Sequence, residues 1–75
     1  MRSGMSQKHF LSQFTSREQE VFSHLVEGQS NKVIANFLGI SEHTVEQHLQ
    51  HIYVKLKVAS RAEAVWSYWQ AVPKY

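Results

Sequence analysis

The sequence contains no cysteine and no long apolar run. The absence of cysteine excludes a disulfide framework, a cysteine-based zinc site and a thiol nucleophile. A membrane-spanning helix needs about 18 consecutive apolar residues, and no such stretch occurs. Residues 1–13 also lack the apolar core of a signal peptide. We therefore expect a cytoplasmic protein with no membrane partner.

The net charge is small, +2, but it is unevenly distributed along the chain. In residues 15–28 one arginine stands against three glutamates, a net charge of −2. In residues 29–61 four lysines and arginines stand against two glutamates, a net charge of +2, and three of the five histidines lie there too. This segregation is a modest indication of a polyanionic partner such as nucleic acid.

Only three glycines and one proline interrupt the chain, and most of them coincide with predicted helix ends. Thr15 and Glu18 have the spacing of a capping box, as do Ser60 and Glu63. Gly28 and Gly39 supply helix stops, and Pro73 limits the last helix. The predicted fold is all-α, a four-helix bundle with helices at 16–27, 31–38, 42–57 and 61–71. Residues 1–13 are predicted to be a flexible leader, and residues 14–75 a single domain.

The third predicted helix has one apolar stripe at helical spacing, formed by Val45, Leu49, Ile52 and Leu56. Only three residues, 39–41, separate it from the second helix. Such a short connection with glycine at the bend requires the two helices to cross sharply. This is the pattern of a helix-turn-helix, although many small bundles also have short turns.

About sixty residues, in one gapless stretch, resemble the LuxR-type helix-turn-helix family. The matching positions are Phe14 to Val21, Gly28 to Lys32, Ile34, Ala35, Leu38, Ile40, Ser41, Thr44, Val45, His48, Ile52, Lys55, Leu56, Val58, Ser60, Arg61, Ala64 and Val65. The resemblance implies a bacterial transcriptional regulator whose third helix enters the major groove of double-stranded DNA. Such domains usually end larger regulators, so this one is expected to be either a stand-alone member or an excised domain.

The resemblance also assigns roles to residues. It places base reading on Glu46, Gln47 and Gln50, whose side chains have the chemistry to pair with base edges. It places phosphate contacts on Asn31, Lys32, Thr44, His48, His51 and Lys55. It further implies a homodimer through Ala62, Trp66 and Trp69, and hence an inverted-repeat site whose halves lie about 10 base pairs apart. A contact with RNA polymerase is an additional expectation, and no cofactor is expected.

Three positions depart from the family pattern. Glu46 stands where the family usually has a lysine facing DNA, so one attraction to phosphate is replaced by a repulsion. Val33 replaces a glutamate, which leaves the capping box of the second helix incomplete. His51 stands where asparagine is common.

Several of these residues have a plainer interpretation. The polar face of the third helix is compatible with simple solvation, and His48 with a partly buried structural role. One tryptophan could fold back on Phe10 or Leu11 of the leader. The spacing of His48 and His51 would allow a metal pair on a helix, but no cysteine or carboxylate completes a site, and we predict no metal.

Two other functional classes compete with DNA binding. The first is a protein-interaction module that docks another regulator or RNA polymerase. It would do so through the helix-turn-helix or through the surface of Ala62, Trp66 and Trp69, which we call the tryptophan face. The second is the C-terminal helix-turn-helix of a sigma factor, against which the closing motif from Ser60 to Val65 argues. We predict no enzyme activity and no catalytic residue, since no nucleophile elbow, phosphate loop or carboxylate pair is present.

Overall fold

A computed structural model describes residues 11–71 of the chain. Four α-helices lie wholly within this range, which contains no β-strand, and this confirms the predicted all-α fold. The helices are α1 (Ser16–Leu25), α2 (Asn31–Leu38), α3 (Glu42–Leu56) and α4 (Arg61–Ala71).

The predicted end of α1, residue 27, is two residues too late. Beyond Leu25 the chain continues to turn, but through shorter hydrogen-bonded rings. The amide of Gly28 donates to the Leu25 carbonyl at 2.9 Å, and Gly28 then adopts the left-handed conformation at φ +84°. A tightened last turn of this kind is common at helix ends, where the missing carbonyl partners are otherwise unsatisfied.

Each of the first three helices has an N-terminal cap, and at α1 it is the predicted capping box. The Thr15 hydroxyl accepts from the Glu18 amide at 3.1 Å, and the Glu18 carboxylate accepts from the Thr15 amide at 3.0 Å. Ser30 caps α2 and Ser41 caps α3 through one hydrogen bond each. Each cap satisfies an amide that the first turn of a helix leaves without a carbonyl partner.

The start of α4 differs in one detail from the predicted capping box. The Ser60 hydroxyl accepts from the Glu63 amide at 3.2 Å, as expected. The Glu63 carboxylate, however, accepts from the amide of Ala59 at 2.8 Å, one residue before the cap. The side chain therefore ties the incoming loop to the first turn of α4.

The turn between α2 and α3 is the sharp bend that the sequence predicts. Gly39 is left-handed at φ +71°, and the amide of Ile40 donates to the Ala35 carbonyl at 3.0 Å. A residue with a Cβ pays about 1 to 2 kcal/mol in this conformation, so glycine suits the bend. α2 and α3 accordingly form a helix-turn-helix.

α3 is the central helix, because it packs against each of the other three. Its predicted apolar stripe is confirmed: Val45, Leu49 and Ile52 are buried and Leu56 is partly buried. The rest of the buried core comes from the segment before α1 and from α1, α2 and α4: Phe14, Val21, Phe22, Leu25, Ile34, Ala35 and Ala64.

α4 is held against α1 by aromatic contacts. Tyr68 meets the ring of Phe22 edge-on with ring centres 5.6 Å apart, and Phe22 meets Phe14 at 5.2 Å. Leu11, which belongs to the predicted leader, packs against the same core, and its carbonyl accepts from Gln19. Residues 1–10 of the predicted leader lie outside the described range, and the boundary at residue 13 stays a prediction. No helix in residues 11–71 is long and apolar enough to cross a membrane.

Candidate nucleic-acid interface

The outer face of α3 is a polar surface opposite the buried stripe. Glu46, Gln47 and Gln50 are all exposed on it, and we call these three side chains the α3 outer row. Because α3 packs on its other side against α1, α2 and α4, the outer row is presented on a rigid helix. Within residues 11–71 these three side chains make no hydrogen bond or ion pair, so their amide and carboxylate groups are available to a partner.

The predicted phosphate-contacting residues lie on α2 and α3. Lys32, in the first turn of α2, is exposed, and Thr44 is half-buried with its hydroxyl 2.9 Å from that of the capping Ser41. His48 is half-buried, a placement compatible with either of the roles considered above. The remaining three, Asn31, His51 and Lys55, have protein partners that the sequence did not reveal.

Lys55 is paired with a buried carboxylate. Its Nζ donates to Oε1 of Glu18 at 2.6 Å, and Nδ1 of His51 lies 3.9 Å from the other carboxylate oxygen. Glu18 is only 4% exposed, whereas the Lys55 side chain is 34% exposed. The Lys55 ammonium is therefore positioned by α1, although a third of its side chain still faces solvent.

The surroundings of Glu18 lower its pKa. Burial by itself raises the pKa, but the hydrogen bonds from Lys55 and the Thr15 amide, with the charges of Lys55 and His51, more than offset this effect. The carboxyl group therefore stays ionised to a lower pH than its ordinary pKa of 4.5 would allow. Glu18 both caps α1 and joins α1 to the last turn of α3.

The Asn31 side chain accepts a hydrogen bond from a residue that lies 30 positions later in the chain. Nη1 of Arg61 donates to Oδ1 of Asn31 at 2.8 Å, and Nη2 of the same guanidinium donates to the Gln29 carbonyl. Arg61 is the first residue of α4, so this contact joins the start of α4 to the start of α2.

Tyr53 on α3 completes this cluster. Burial raises the pKa of its hydroxyl, and although Arg61 lowers it, the negative charge of Glu46 raises it further. Glu46 of the outer row thus lies within electrostatic reach of Tyr53. The positively charged Arg61 also lies within electrostatic reach of Tyr53.

Sequence reasoning missed the long-range roles of Glu18 and Arg61. Both belong to motifs that it did identify, a capping box and the closing motif. Their partners, however, lie 37 and 30 residues away along the chain, where no spacing rule applies.

α4 carries the domain's two tryptophans on its outer side. Trp66 is 65% exposed and Trp69 is 50% exposed, and Ala62 is exposed on the same helix. Ala64 is buried, and Val65 and Tyr68 are partly buried, so these three residues form the inward side of α4. Trp69 contacts Tyr68 edge-on at 5.1 Å.

No group of three or more histidine, cysteine, aspartate or glutamate side chains in the described range is arranged to hold a metal ion. One shallow cavity of about 150 Å³ lies between α1 and α4, lined partly by Leu11, Phe22 and Tyr68. None of the residues that line it is among those that the sequence assigned to DNA.

Comparison with known proteins identifies the family. The family described as "Bacterial regulatory proteins, luxR family" matches residues 12–67. The spore germination protein GerE of Bacillus subtilis (strain 168) is 44% identical over 63 residues, which are 81% of this chain and 85% of GerE.

Two longer relatives match over a shorter part of their length. The nitrate/nitrite response regulator protein NarL of Escherichia coli (strain K12) is 42% identical over 57 residues, 75% of this chain and 26% of NarL. NarP of the same strain, also named a nitrate/nitrite response regulator protein, is 48% identical over 50 residues, 67% of this chain and 23% of NarP. The chain thus spans about a quarter of the length of these two relatives. With the helix-turn-helix of α2 and α3, these matches show that the chain belongs to the luxR family of bacterial regulatory proteins and is a helix-turn-helix domain of the transcriptional regulator type.

Proposed function

We propose that this domain binds double-stranded DNA in a sequence-dependent manner, with α3 in the major groove, and thereby regulates transcription. The observation that carries the proposal is the α3 outer row: three exposed side chains with base-pairing chemistry on the second helix of a helix-turn-helix. An α-helix fits the major groove, where every base pair has its own pattern of donors and acceptors. Glutamine can pair with adenine through two hydrogen bonds, and glutamate can accept from the cytosine amino group.

Phosphate contacts from both helices of the motif would fix the register of α3 on the duplex. We assign this role to Asn31, Lys32, Thr44, His48, His51 and Lys55. Lys32 and Asn31 lie in the first turn of α2, where main-chain amides also favour an anion. For Lys55 the proposal requires that the ammonium serves Glu18 and a phosphate together, which its three N–H donors allow.

We further propose that the domain acts as a homodimer through Ala62, Trp66 and Trp69. Two tryptophans at least half exposed on one helix of a small domain form an apolar surface that a partner would cover. A two-fold dimer reads two half-sites, so the expected DNA site is an inverted repeat with half-sites about 10 base pairs apart. We expect this to take place in the bacterial cytoplasm, with RNA polymerase as a further contact.

The test is selection from a random duplex library by the purified domain at about 50 mM salt, where phosphate contacts are strong. Enrichment of an inverted repeat is the expected result. A folded domain that enriches no sequence would contradict the proposal of a sequence-reading dimer.

Glu46 supports a second candidate function, a protein-interaction module. A carboxylate at the start of the outer row repels the DNA phosphates. In this second candidate, the outer row or the tryptophan face docks another regulator or RNA polymerase instead of DNA. The variant Glu46→Lys separates the two candidates. If the outer row reads bases, the substitution shifts sequence preference. If it docks protein, the substitution raises DNA affinity on all sequences alike.

The matched control is Glu27→Lys, which makes the same charge change at an exposed position in the turn after α1. Any gain in DNA affinity that this control also shows comes from net charge. Only the difference between the two variants reports on the outer row.

A further inference from the structure

We propose that Arg61 is a positioning residue for the DNA contact: it orients the Asn31 side chain so that the amide NH₂ group faces a backbone phosphate. The inference rests on the proposed DNA binding and adds to it a residue that does not itself touch the ligand. The juxtaposition that carries it is the guanidinium of Arg61 against the two residues that flank the cap of α2.

The guanidinium forms a two-point clamp. Nη1 donates to Oδ1 of Asn31 at 2.8 Å, and Nη2 donates to the carbonyl of Gln29. Gln29 and Asn31 lie on either side of Ser30, whose hydroxyl caps α2. One planar group thus fixes the entry of the chain into the helix and one side chain on its first turn.

The clamp determines which end of the Asn31 amide is free. A guanidinium has five N–H donors and no acceptor, so only the carbonyl oxygen of the amide can face it. Because the amide is planar, its NH₂ group then points away from Arg61. That NH₂ group has no hydrogen-bond acceptor among residues 11–71, so its two donors remain available to an anion. Without Arg61 the amide could rotate and present its oxygen, which repels a phosphate.

Arg61 also lies close to a third helix. Its positive charge acts on the Tyr53 hydroxyl of α3 and lowers the pKa of that group, and Arg61 itself is only partly exposed. The guanidinium therefore lies at the junction of α2, α3 and α4. Its Nη1 and Nη2 atoms already donate to protein acceptors, which favours a positioning role over a direct phosphate contact.

The experiment measures the affinity of the domain for a mixed-sequence DNA duplex as a function of salt, for Arg61→Lys, Arg61→Gln and Asn31→Ala. Lysine keeps the charge but offers a single nitrogen, which cannot bond both acceptors as two nitrogens do. We expect each variant to bind about tenfold more weakly per bound domain, because each loses one hydrogen bond to a charged phosphate. The variant Asn31→Ala combined with Arg61→Lys should bind like Asn31→Ala alone, because Arg61 acts through Asn31.

The salt dependence separates positioning from direct contact. A cation that neutralises one phosphate contributes about 0.9 to the slope of log affinity against log salt. We expect Arg61→Gln to leave this slope unchanged. A slope smaller by about 0.9 in Arg61→Gln, or multiplicative losses in the double variant, would overturn the inference.

Controls keep the outcomes distinct. Arg17→Gln removes the same charge from an exposed position on α1 and should bind like the wild type. Circular dichroism verifies folding, and if Arg61→Gln does not fold, Arg61→Lys and the double variant still decide the question. If the variants bind as well as the wild type, the inference fails while DNA binding stands. If the folded wild type binds no duplex, both the inference and the proposed function fail.

Discussion

Replacing Glu18 with glutamine should destabilise the domain at neutral pH and leave it nearly unaffected in acid. Glu18 is buried, accepts from the Thr15 amide at 3.0 Å and from Lys55 at 2.6 Å, and so joins α1 to α3. Glutamine preserves the shape and one acceptor oxygen but removes the charge. The substitution therefore isolates the contribution of the ion pair to the free energy of unfolding.

The magnitude follows from the exposure of the two partners. A hydrogen bond to a charged group contributes about 1.5 to 3 kcal/mol, while an exposed ion pair contributes about 0 to 1 kcal/mol. Since the carboxylate is buried and the Lys55 side chain is 34% exposed, we expect a loss of about 1 to 2 kcal/mol. A domain of this size unfolds about 4 to 8 °C lower for each kcal/mol lost.

The sign of the pH dependence follows from the pKa of Glu18, which is lowered from 4.5 in the folded state. A group with a depressed folded pKa stabilises the fold above its unfolded pKa. This stabilisation is lost as the pH falls through the folded pKa. The difference between the wild type and Glu18→Gln should therefore be full at neutral pH and should shrink steadily below pH 4.5.

Urea unfolding followed by far-ultraviolet circular dichroism, at several values between about pH 7 and pH 3, measures this difference. The matched control is Glu20→Gln on the same helix, whose partner Arg17 is exposed, and its effect should stay within about 0.5 kcal/mol. A Glu18→Gln deficit that is the same at every pH would refute the reasoning, since it would have to come from packing and not from charge.

Three further outcomes are expected. Gly39→Ala should lower the free energy of unfolding by about 1 to 2 kcal/mol in urea titrations, because Gly39 is left-handed at φ +71°; an unchanged midpoint would contradict this. Lys57→Gly should raise the free energy of unfolding by up to about 1 kcal/mol, because Lys57 ends α3 in the left-handed conformation at φ 60°. A lower free energy of unfolding would contradict this and would show that the extra freedom of glycine in the unfolded chain dominates. Trp66→Ala should shift the domain from dimer to monomer in sedimentation experiments with little change in unfolding, whereas a wild type that is monomeric at high concentration would contradict the proposed interface.

The helices were predictable because their signals are local. Capping residues lie within three positions of the amides they bond, and the stripe from Val45 to Leu56 follows the helical repeat. The end of α1 was misplaced by two residues because Gly28 marks where the chain leaves the helical path. The shorter-ring bonds that end the regular helix before it have no sequence signal.

The candidate site was predictable only in part. The exposure of Glu46, Gln47 and Gln50 follows from their place opposite the buried stripe. The partners of Lys55 and Asn31 do not, because Glu18 and Arg61 meet them only after the helices have packed. Whether these residues contact DNA remains a prediction, as do the roles assigned to the outer row and to the tryptophans.

The central claim, that the α3 outer row reads base edges, is tested most directly by binding the selected duplex and all its single-base variants to Gln50→Ala. The control is Ser23→Ala, a neutral truncation at an exposed position on α1. We predict that Gln50→Ala loses about 1 to 3 kcal/mol of discrimination at one position of each half-site and keeps the preference at the others. Equal weakening on every duplex, or an unchanged preference at every position, would contradict the claim.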